Sequence, residues 1–169
     1  MDIRIKTLSN GISEQGYLAQ LELLLEKSHA NNASPHVYKQ DRTFFKSNLE
    51  GGAYNIVALS GERVVGYTAL RKMQPWPEYL ERTEHAPESC ALMLYSLVDP
   101  EARGCGIGAL LAQKRIELAQ CMGLQHLYAT VHPSNHANMK ILTRLGFNEI
   151  AVKPLFKEQL LRSLMYLKI

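Results

Sequence analysis

Short apolar runs and helical spacings of apolar residues divide this chain into a regular series of elements. Strands are predicted where a run is alternating or wholly apolar and is bounded by turn residues. These runs are residues 3–8, 54–60, 63–71, 90–98, 124–131, 147–152 and 163–169. Helices are predicted where apolar side chains fall on one face of a helix, or where a capping residue and a glycine bound a segment. These segments are residues 13–28, 38–48, 108–122 and 135–145.

The order of these elements predicts an α/β (α+β) protein with a mixed sheet. Read along the chain, the order is β-α-α-β-β-β-α-β-α-β-β. Gly61-Glu62 between two apolar runs predicts a hairpin, and a later β-α-β-α segment predicts a parallel pair. Residues 73–89 interrupt the pattern with three prolines and form a long connection.

Length and composition predict one globular domain over residues 1–169. Hydrophobic residues make up 46% of the chain and charged residues 21%, which are ordinary globular values. No apolar stretch is long enough to span a membrane, and residues 1–6 alternate charged and apolar side chains instead of forming a signal-peptide core. We therefore expect neither a membrane partner nor export.

Charge and cysteine content argue against disulfide-bonded, zinc-binding and nucleic-acid-binding proteins. Cys90, Cys105 and Cys121 form no Cys-x-x-Cys pair, which argues against a disulfide framework and a zinc site, so no metal is expected. Free cysteines favour a reducing cytoplasmic location. The net charge of +3 is small and dispersed, so no nucleic-acid partner is expected.

The most informative segment is a glycine-rich turn between the strand at residues 90–98 and the following helix. Gly104, Gly106 and Gly108 alternate there, next to Arg103. Glycines allow a ligand close to the backbone, and the first N–H groups of a helix favour phosphate. A P-loop would need Gly-Lys-Ser/Thr, and a dinucleotide-binding turn would need Gly-x-Gly-x-x-Gly with an acidic residue after the next strand. The chain has neither arrangement.

At these residues the chain resembles the GNAT superfamily of acyl-CoA-dependent N-acyltransferases. That family has Arg/Gln-x-x-Gly-x-Gly/Ala after a strand that ends in Val-x-Pro. The matching residues are Val98-Asp99-Pro100 and Arg103-Gly104-Cys105-Gly106-Ile107-Gly108. A second family motif, an Asn that opens a helix ending in Leu-Gly-Phe, matches Asn135 and Leu145-Gly146-Phe147. The resemblance implies the GNAT fold, a mixed and mostly antiparallel sheet of seven strands with four helices.

The resemblance also implies acetyl-CoA as co-substrate and assigns residues to it. Ser96, Leu97 and Val98 would line the pantetheine arm, because the central strand of the family splays from its neighbour. Asn135 would reach the arm near the thiol, or would serve only as a helix N-cap. The remaining residues would cradle the pyrophosphate: Arg103, Gly104, Cys105, Gly106, Ile107, Gly108 and Ala109.

The implied reaction is direct attack of a neutral amine on the thioester. The family often has a tyrosine general acid four residues before Gly-Phe, where this chain has Leu142. Tyr95 and Tyr128 are the candidates to replace it, and Glu88 is the candidate base. The alternative function is a catalytically weak CoA-binding or acyl-CoA-binding sensor module of the same fold, which Leu142 favours.

The acceptor is predicted from the acidic loop, which we define as residues 73–89. Four glutamates against one arginine give this loop a net charge of −3. It would attract a cationic amine, either a small molecule or a peptide, or it would be a solvated flap. A homodimer is expected if the strand at residues 163–169 extends the sheet or is exchanged between copies.

Overall fold

A computed structural model describes residues 2–9, 14–30 and 40–169 of the chain. The strands are β1 Arg4–Thr7, β2 Tyr54–Ser60, β3 Arg63–Lys72, β4 Cys90–Val98, β5 His126–Val131, β6 Asn148–Leu155 and β7 Leu160–Lys168. The helices are α1 Glu14–Ala30, α2 Arg42–Ser47, α3 Ile107–Cys121 and α4 His136–Arg144. In the described ranges, no helix has both the length and the apolar character that crossing a bilayer requires.

The strands form one mixed sheet in the order β1-β2-β3-β4-β5-β7-β6. β1 pairs antiparallel with β2, β4 pairs parallel with β5, and β7 pairs antiparallel with both β5 and β6. The predicted fold class and element order are therefore confirmed. The expectation that residues 163–169 extend the sheet into a second copy is wrong, because β7 is bonded on both sides and β6 is the edge strand.

The largest differences between predicted and observed bounds, three residues or more, lie at the second helix and at the last hairpin. The second helix is shorter than residues 38–48, since α2 begins at Arg42 after the N-cap Asp41 and passes into a π turn at Asn48–Gly52; residues 31–39 lie outside the described residues. The last hairpin is longer than predicted. Its turn places Phe156 and Gln159 at φ 65° and 51°, a conformation that sequence rules assign to glycine or asparagine.

The contacts divide the chain into two compact units. The first holds Met1–Ala69 and Tyr95–Arg115, and the second holds Leu70–Leu94 and Ile116–Ile169. In the first unit, α3 begins directly against β3. A Cβ on Gly66 would lie 2.9 Å from Ile107 Cγ2 and 3.1 Å from Leu111 Cδ1, so only glycine allows this approach.

The core of the second unit includes part of the acidic loop. Met73, Trp76 and Leu80 are buried together with side chains of the sheet, among them Leu92 and Tyr128. The Trp76 indole N–H also donates to the Leu80 carbonyl over 3.0 Å. Burial of these apolar side chains stabilises the loop, so it is not a solvated flap.

Candidate active site

The glycine turn, residues 103–109, is built by two backbone conformations that favour glycine. After β4 the chain makes a 3-10 turn, Pro100–Ala102, and then Gly104 and Gly106 adopt φ of 81° and 77°. A Cβ at either position would meet nothing within 4 Å. The backbone conformation, and not crowding, therefore requires glycine at these two positions.

The turn leaves three backbone donors of α3 without a partner inside the helix. Leu110 N–H bonds to the Gly106 carbonyl over 3.1 Å, so the N–H groups of Ile107, Gly108 and Ala109 precede the first helical hydrogen bond. Gly104, Cys105 and Gly106 are exposed. N–H groups that lack an intrahelical partner at the positive end of a helix, next to this exposed turn, suit the diphosphate of CoA, so these residues fit that cofactor.

Asp99 fixes the start of this turn within the first unit. Its carboxylate is buried, accepts from Glu101 N–H over 3.0 Å, and lies 3.6 Å from Lys27 Nζ and 3.7 Å from Arg63 Nη1. Its own N–H donates to the Val65 carbonyl over 2.9 Å. These contacts join the segment before the glycine turn to α1 and β3.

The ladder between β4 and β5 covers only the first four residues of β4. This ladder runs from the Cys90/His126 pair to the Met93/Ala129 pair, while β4 continues to Val98. The first four residues of β4 are buried, whereas Ser96 and Val98 are partly exposed and Leu97 is buried. The residues predicted to line the pantetheine arm thus lie in the half of β4 beyond this ladder.

Tyr95 lies at the start of that half and carries a buried hydroxyl. No described residue bonds to its hydroxyl oxygen. Its ring packs edge-on against Phe44 and Phe45 of α2 at centroid distances of 5.9 and 6.5 Å. Burial raises the pKa of Tyr95 to about 12, so the phenol is neutral at physiological pH.

Tyr128 belongs to a different group, in the second unit, which we call the histidine–tyrosine cluster: His85, His126, Tyr128 and Tyr166. The Tyr128 hydroxyl lies 2.7 Å from His85 Nδ1 and 3.2 Å from the hydroxyl of Thr83. His126 Nδ1 lies 2.9 Å from the Tyr166 hydroxyl, and the two imidazole rings stack at 3.6 Å.

Burial shifts the titration of three members of this cluster, His126, Tyr128 and Tyr166, toward their neutral forms. Desolvation raises the pKa of Tyr128 and of Tyr166. Desolvation, followed by the charges of His85 and Lys168, lowers the pKa of His126. The cluster therefore disfavours charge on His126 and on both phenols near neutral pH.

The other predicted residues occupy separate places. Glu88 is exposed on the 3-10 turn Pro87–Ser89 before β4. Asn135 is the N-cap of α4, where its Oδ1 accepts from Asn138 N–H over 3.2 Å. Leu142 is 1% exposed in α4. The N-cap expectation for Asn135 is confirmed, and this bond uses only the oxygen of its side-chain amide.

Sequence reasoning missed both histidines of the cluster. His85 lies in an irregular loop and His126 opens a strand, and neither stands in a recognisable motif. The pairing of β5 with its neighbouring strands brings His126 into the cluster, and that pairing is a tertiary property that no local motif signals. Within the described ranges, no group of three or more histidine, cysteine, aspartate or glutamate side chains is arranged to hold a metal ion.

Comparison with protein families agrees with this geometry. The model of the acetyltransferase (GNAT) family matches residues 18–147, which include the glycine turn and Asn135. The chain belongs to the GNAT acetyltransferase family. The resemblance stated from the two motifs is thereby confirmed, and the protein is an acyltransferase of this family.

Solved GNAT structures share the fold at low sequence identity. The Escherichia coli ribosomal-protein-S18-alanine N-acetyltransferase aligns with TM-score 0.72 and 18% identity over 99% of this chain and 94% of its own. An N-acetyltransferase from Staphylococcus aureus aligns with TM-score 0.72 and 20% identity over 100% and 98%. A Salmonella typhimurium protein, solved with its cofactor acetyl-CoA, aligns with TM-score 0.70 and 18% identity over 99% of this chain and 94% of its own.

Proposed function

We propose that this GNAT protein transfers an acetyl group from acetyl-CoA to a primary amine by direct attack, within a single acetyltransferase domain. The observation that carries the proposal is the glycine turn, where Gly104 and Gly106 hold left-handed conformations immediately before the free N–H groups of α3. A turn of this kind binds a diphosphate without a lysine or a magnesium ion. This is consistent with acetyl-CoA as the ligand.

The cofactor would be held mainly by backbone atoms. In this proposal the N–H groups from Gly104 to Ala109 bind the diphosphate, and the exposed Arg103 adds a positive charge. Ser96, Leu97 and Val98 pair with the pantetheine arm as an added strand would. The Asn135 side-chain NH₂, which the helix cap leaves available, donates to the arm near the sulfur.

The chemistry requires one proton acceptor and one group that stabilises the oxyanion. An alkylamine is protonated near pH 7, so a base must remove a proton before the nitrogen attacks the carbonyl carbon. A backbone N–H at Val98 stabilises the oxyanion that forms. The Tyr95 hydroxyl, buried without a bond to any described residue, is available to donate to the leaving thiolate.

The acidic loop selects a cationic acceptor in this proposal. Trp76 and Leu80 anchor it in the core, while Glu78, Glu84 and Glu88 remain exposed. An anchored loop presents its negative charges at fixed positions, which attracts a protonated amine more effectively than a mobile loop. Both a small amine and a peptide amine satisfy this requirement.

The second candidate is a sensor that binds CoA without turnover, and the observation that favours it is Leu142. This buried leucine occupies the position where family members often carry the tyrosine acid, and it has no proton to donate. Thermal melts with acetyl-CoA, CoA, ATP and NAD test cofactor recognition. At 100 times Kd, a ligand adds roughly 2.7 kcal/mol to the free energy of unfolding.

We expect acetyl-CoA and CoA to raise the melting temperature and NAD and ATP to leave it unchanged. Free-thiol release with a panel of small amines and peptides then separates the two candidates. Amine-dependent release supports the transferase. Binding without release by any amine supports the sensor, and an absence of CoA binding refutes both.

A further inference from the structure

We propose that the stacked rings of His85 and His126 form an acid-sensitive latch, which holds residues 83–89 against β5 and β7 while the rings are neutral and releases them when both are protonated. We call residues 83–89 the latch segment. The latch segment and the two strands that it contacts all lie in the second unit. The latch itself does not depend on the proposed transferase function, although its consequence for the acceptor does.

The acidic loop has an apolar part followed by a polar part. Met73, Trp76 and Leu80 are buried in the core of the second unit. From residue 81 to residue 89, in contrast, every side chain is exposed or only half-buried. Apolar burial therefore anchors the loop as far as Leu80, whereas the latch segment depends on polar contacts and on ring contacts.

The ring of His85 joins the latch segment to two strands of the sheet. It stacks on the His126 ring of β5 at a centroid distance of 3.6 Å and an angle of 10°, and it lies 5.4 Å from the Tyr166 ring of β7 at 17°. Its Nδ1 lies 2.7 Å from the Tyr128 hydroxyl, and the Thr83 hydroxyl lies 3.2 Å from the same oxygen. One imidazole thus connects the latch segment to both β5 and β7.

A charge on one ring is compatible with this arrangement, but charges on both rings are not. A protonated imidazole donates from both nitrogens, and the hydroxyl oxygens of Tyr128 and Tyr166 can each accept from the neighbouring Nδ1. When both rings are charged, however, two positive charges face each other at 3.6 Å and repel. Histidine gains its charge as the pH falls from about 8 to about 5, so we expect the latch to open in this range.

Burial opposes protonation of His126 while the latch is closed. This ring is 9% exposed, and desolvation, followed by the charges of His85 and Lys168, lowers its pKa below the ordinary histidine value. Opening lets water reach the ring and restores its ordinary pKa. A base whose pKa is lower in the closed form stabilises that form at high pH and loses this contribution as the pH falls below about 6.5. The sign of the shift therefore agrees with opening in acid.

The other titratable groups beside the two rings do not cancel this repulsion. Glu84 and Glu88 of the latch segment are exposed, so water and salt screen their attraction for a charged imidazole. Lys168 of β7 adds a further positive charge. Burial raises the pKa of the remaining neighbours, which are therefore neutral in this range: Cys90 of β4, Tyr128 of β5 and Tyr166 of β7.

Opening changes the charges that the acidic loop presents to an acceptor. The latch segment carries Glu84 and Glu88, two of the glutamates proposed to attract a cationic amine. Release removes them from fixed positions, whereas Glu78 stays in the part of the loop that Trp76 and Leu80 anchor. This consequence rests on the proposed function, and it predicts that KM for the amine rises more steeply in acid for the wild type than for a variant whose latch stays closed.

NMR of the ring protons tests the latch in the protein without any ligand. In the wild type we expect a cross-peak between the rings of His85 and Tyr166 at about pH 7.5 and its loss at about pH 5. His126→Phe keeps an aromatic ring in the stack but cannot be charged, so it should retain the cross-peak at both pH values. His29→Gln is the matched control and should behave as the wild type, because His29 is exposed at the end of α1. A cross-peak that persists in the wild type at the acidic pH, or that H126F loses equally, overturns the proposal.

Labelling of Cys90 gives an independent readout of opening. Cys90 is buried, and its thiol lies 3.2 Å from the Ala86 carbonyl of the latch segment, so opening should expose the thiol. The exposed Cys105 and Cys121 are first replaced by serine in every protein compared. We then expect the protein with both histidines to be labelled about tenfold faster than H126F at about pH 5, and equally fast at about pH 7.5. Comparison at one pH cancels the titration of the thiol, and equal rates at both pH values contradict the latch.

The reciprocal variant His85→Phe covers the case in which His126→Phe disturbs the stack at neutral pH. It also leaves only one ring that can be charged, so it should give the same slow labelling in acid. The outcomes separate the latch from the proposed function. A latch that opens in a protein that acetylates no amine refutes the function alone, whereas a transferase whose stack survives in acid refutes the latch alone.

Discussion

Gly66 of β3 is the position at which one added methyl group tests how closely α3 packs against β3. An alanine Cβ there would lie 2.9 Å from Ile107 Cγ2, 3.1 Å from Leu111 Cδ1 and 3.2 Å from Ala58 Cβ. Carbon atoms pack best at about 3.5–4.0 Å, so α3 or β3 must shift by roughly half an ångström. Overpacking of this kind costs about 1–3 kcal/mol.

We therefore expect Gly66→Ala to lower the melting temperature by roughly 2–12 °C, given about 2–4 °C per kcal/mol for a protein of this size. Because Ile107 is the first residue of α3, the same shift displaces the N–H groups proposed to hold the diphosphate. Titration calorimetry should therefore show weaker acetyl-CoA binding. Calorimetric melts of the free protein measure the stability separately.

Two further variants make the test specific to this contact. Gly16→Ala, in α1, adds a methyl group that meets nothing within 4 Å, so it should leave stability unchanged or raise it by up to about 1 kcal/mol. Ile107→Leu removes the branched methyl that the new Cβ would touch, so the double variant should recover part of the loss. An unaltered melting temperature and affinity in Gly66→Ala would refute this account of how α3 is positioned.

Three further predictions concern the turn, the buried hydroxyl and the acidic loop. Gly106→Ala should cost about 1–2 kcal/mol of backbone strain and weaken acetyl-CoA binding in calorimetry; unchanged binding would contradict the role of the turn. Tyr95→Phe should keep or raise thermal stability while kcat falls, and an unchanged kcat would remove Tyr95 from the reaction. Burial raises the pKa of Tyr95 to about 12, above its value in the unfolded chain, so the stability of the wild type should fall as pH rises above 10. Melts at alkaline pH should show a smaller fall in Tyr95→Phe, because the variant lacks this titrating group. Replacing Glu78, Glu84 and Glu88 with Gln should raise KM for the amine but not for acetyl-CoA, and equal changes in both would contradict acceptor selection by the loop.

The sequence by itself determined the order of elements and the glycine turn, because both depend on residues that are close along the chain. Strand and helix periods, the Gly61-Glu62 turn, the Asn135 cap and the alternation Gly104, Gly106, Gly108 are local signals. A φ near 80° selects glycine at its own position whatever surrounds it. This is why the family and its cofactor could be predicted before any contact was known.

Only the tertiary structure decided the pairing of His85 with Tyr128 and the anchoring of the acidic loop. Those contacts join a loop to β5 and β7, and they depend on strand register, in particular the pairing of Tyr128 with Tyr166. The sequence shows Glu88 as the nearest carboxylate before β4, but it cannot show that the glutamate is exposed while an imidazole is stacked and bonded. These contacts depend on how β5 and β7 align across the sheet, and no hairpin turn joins these two strands to fix their register, since α4 and β6 lie between them along the chain.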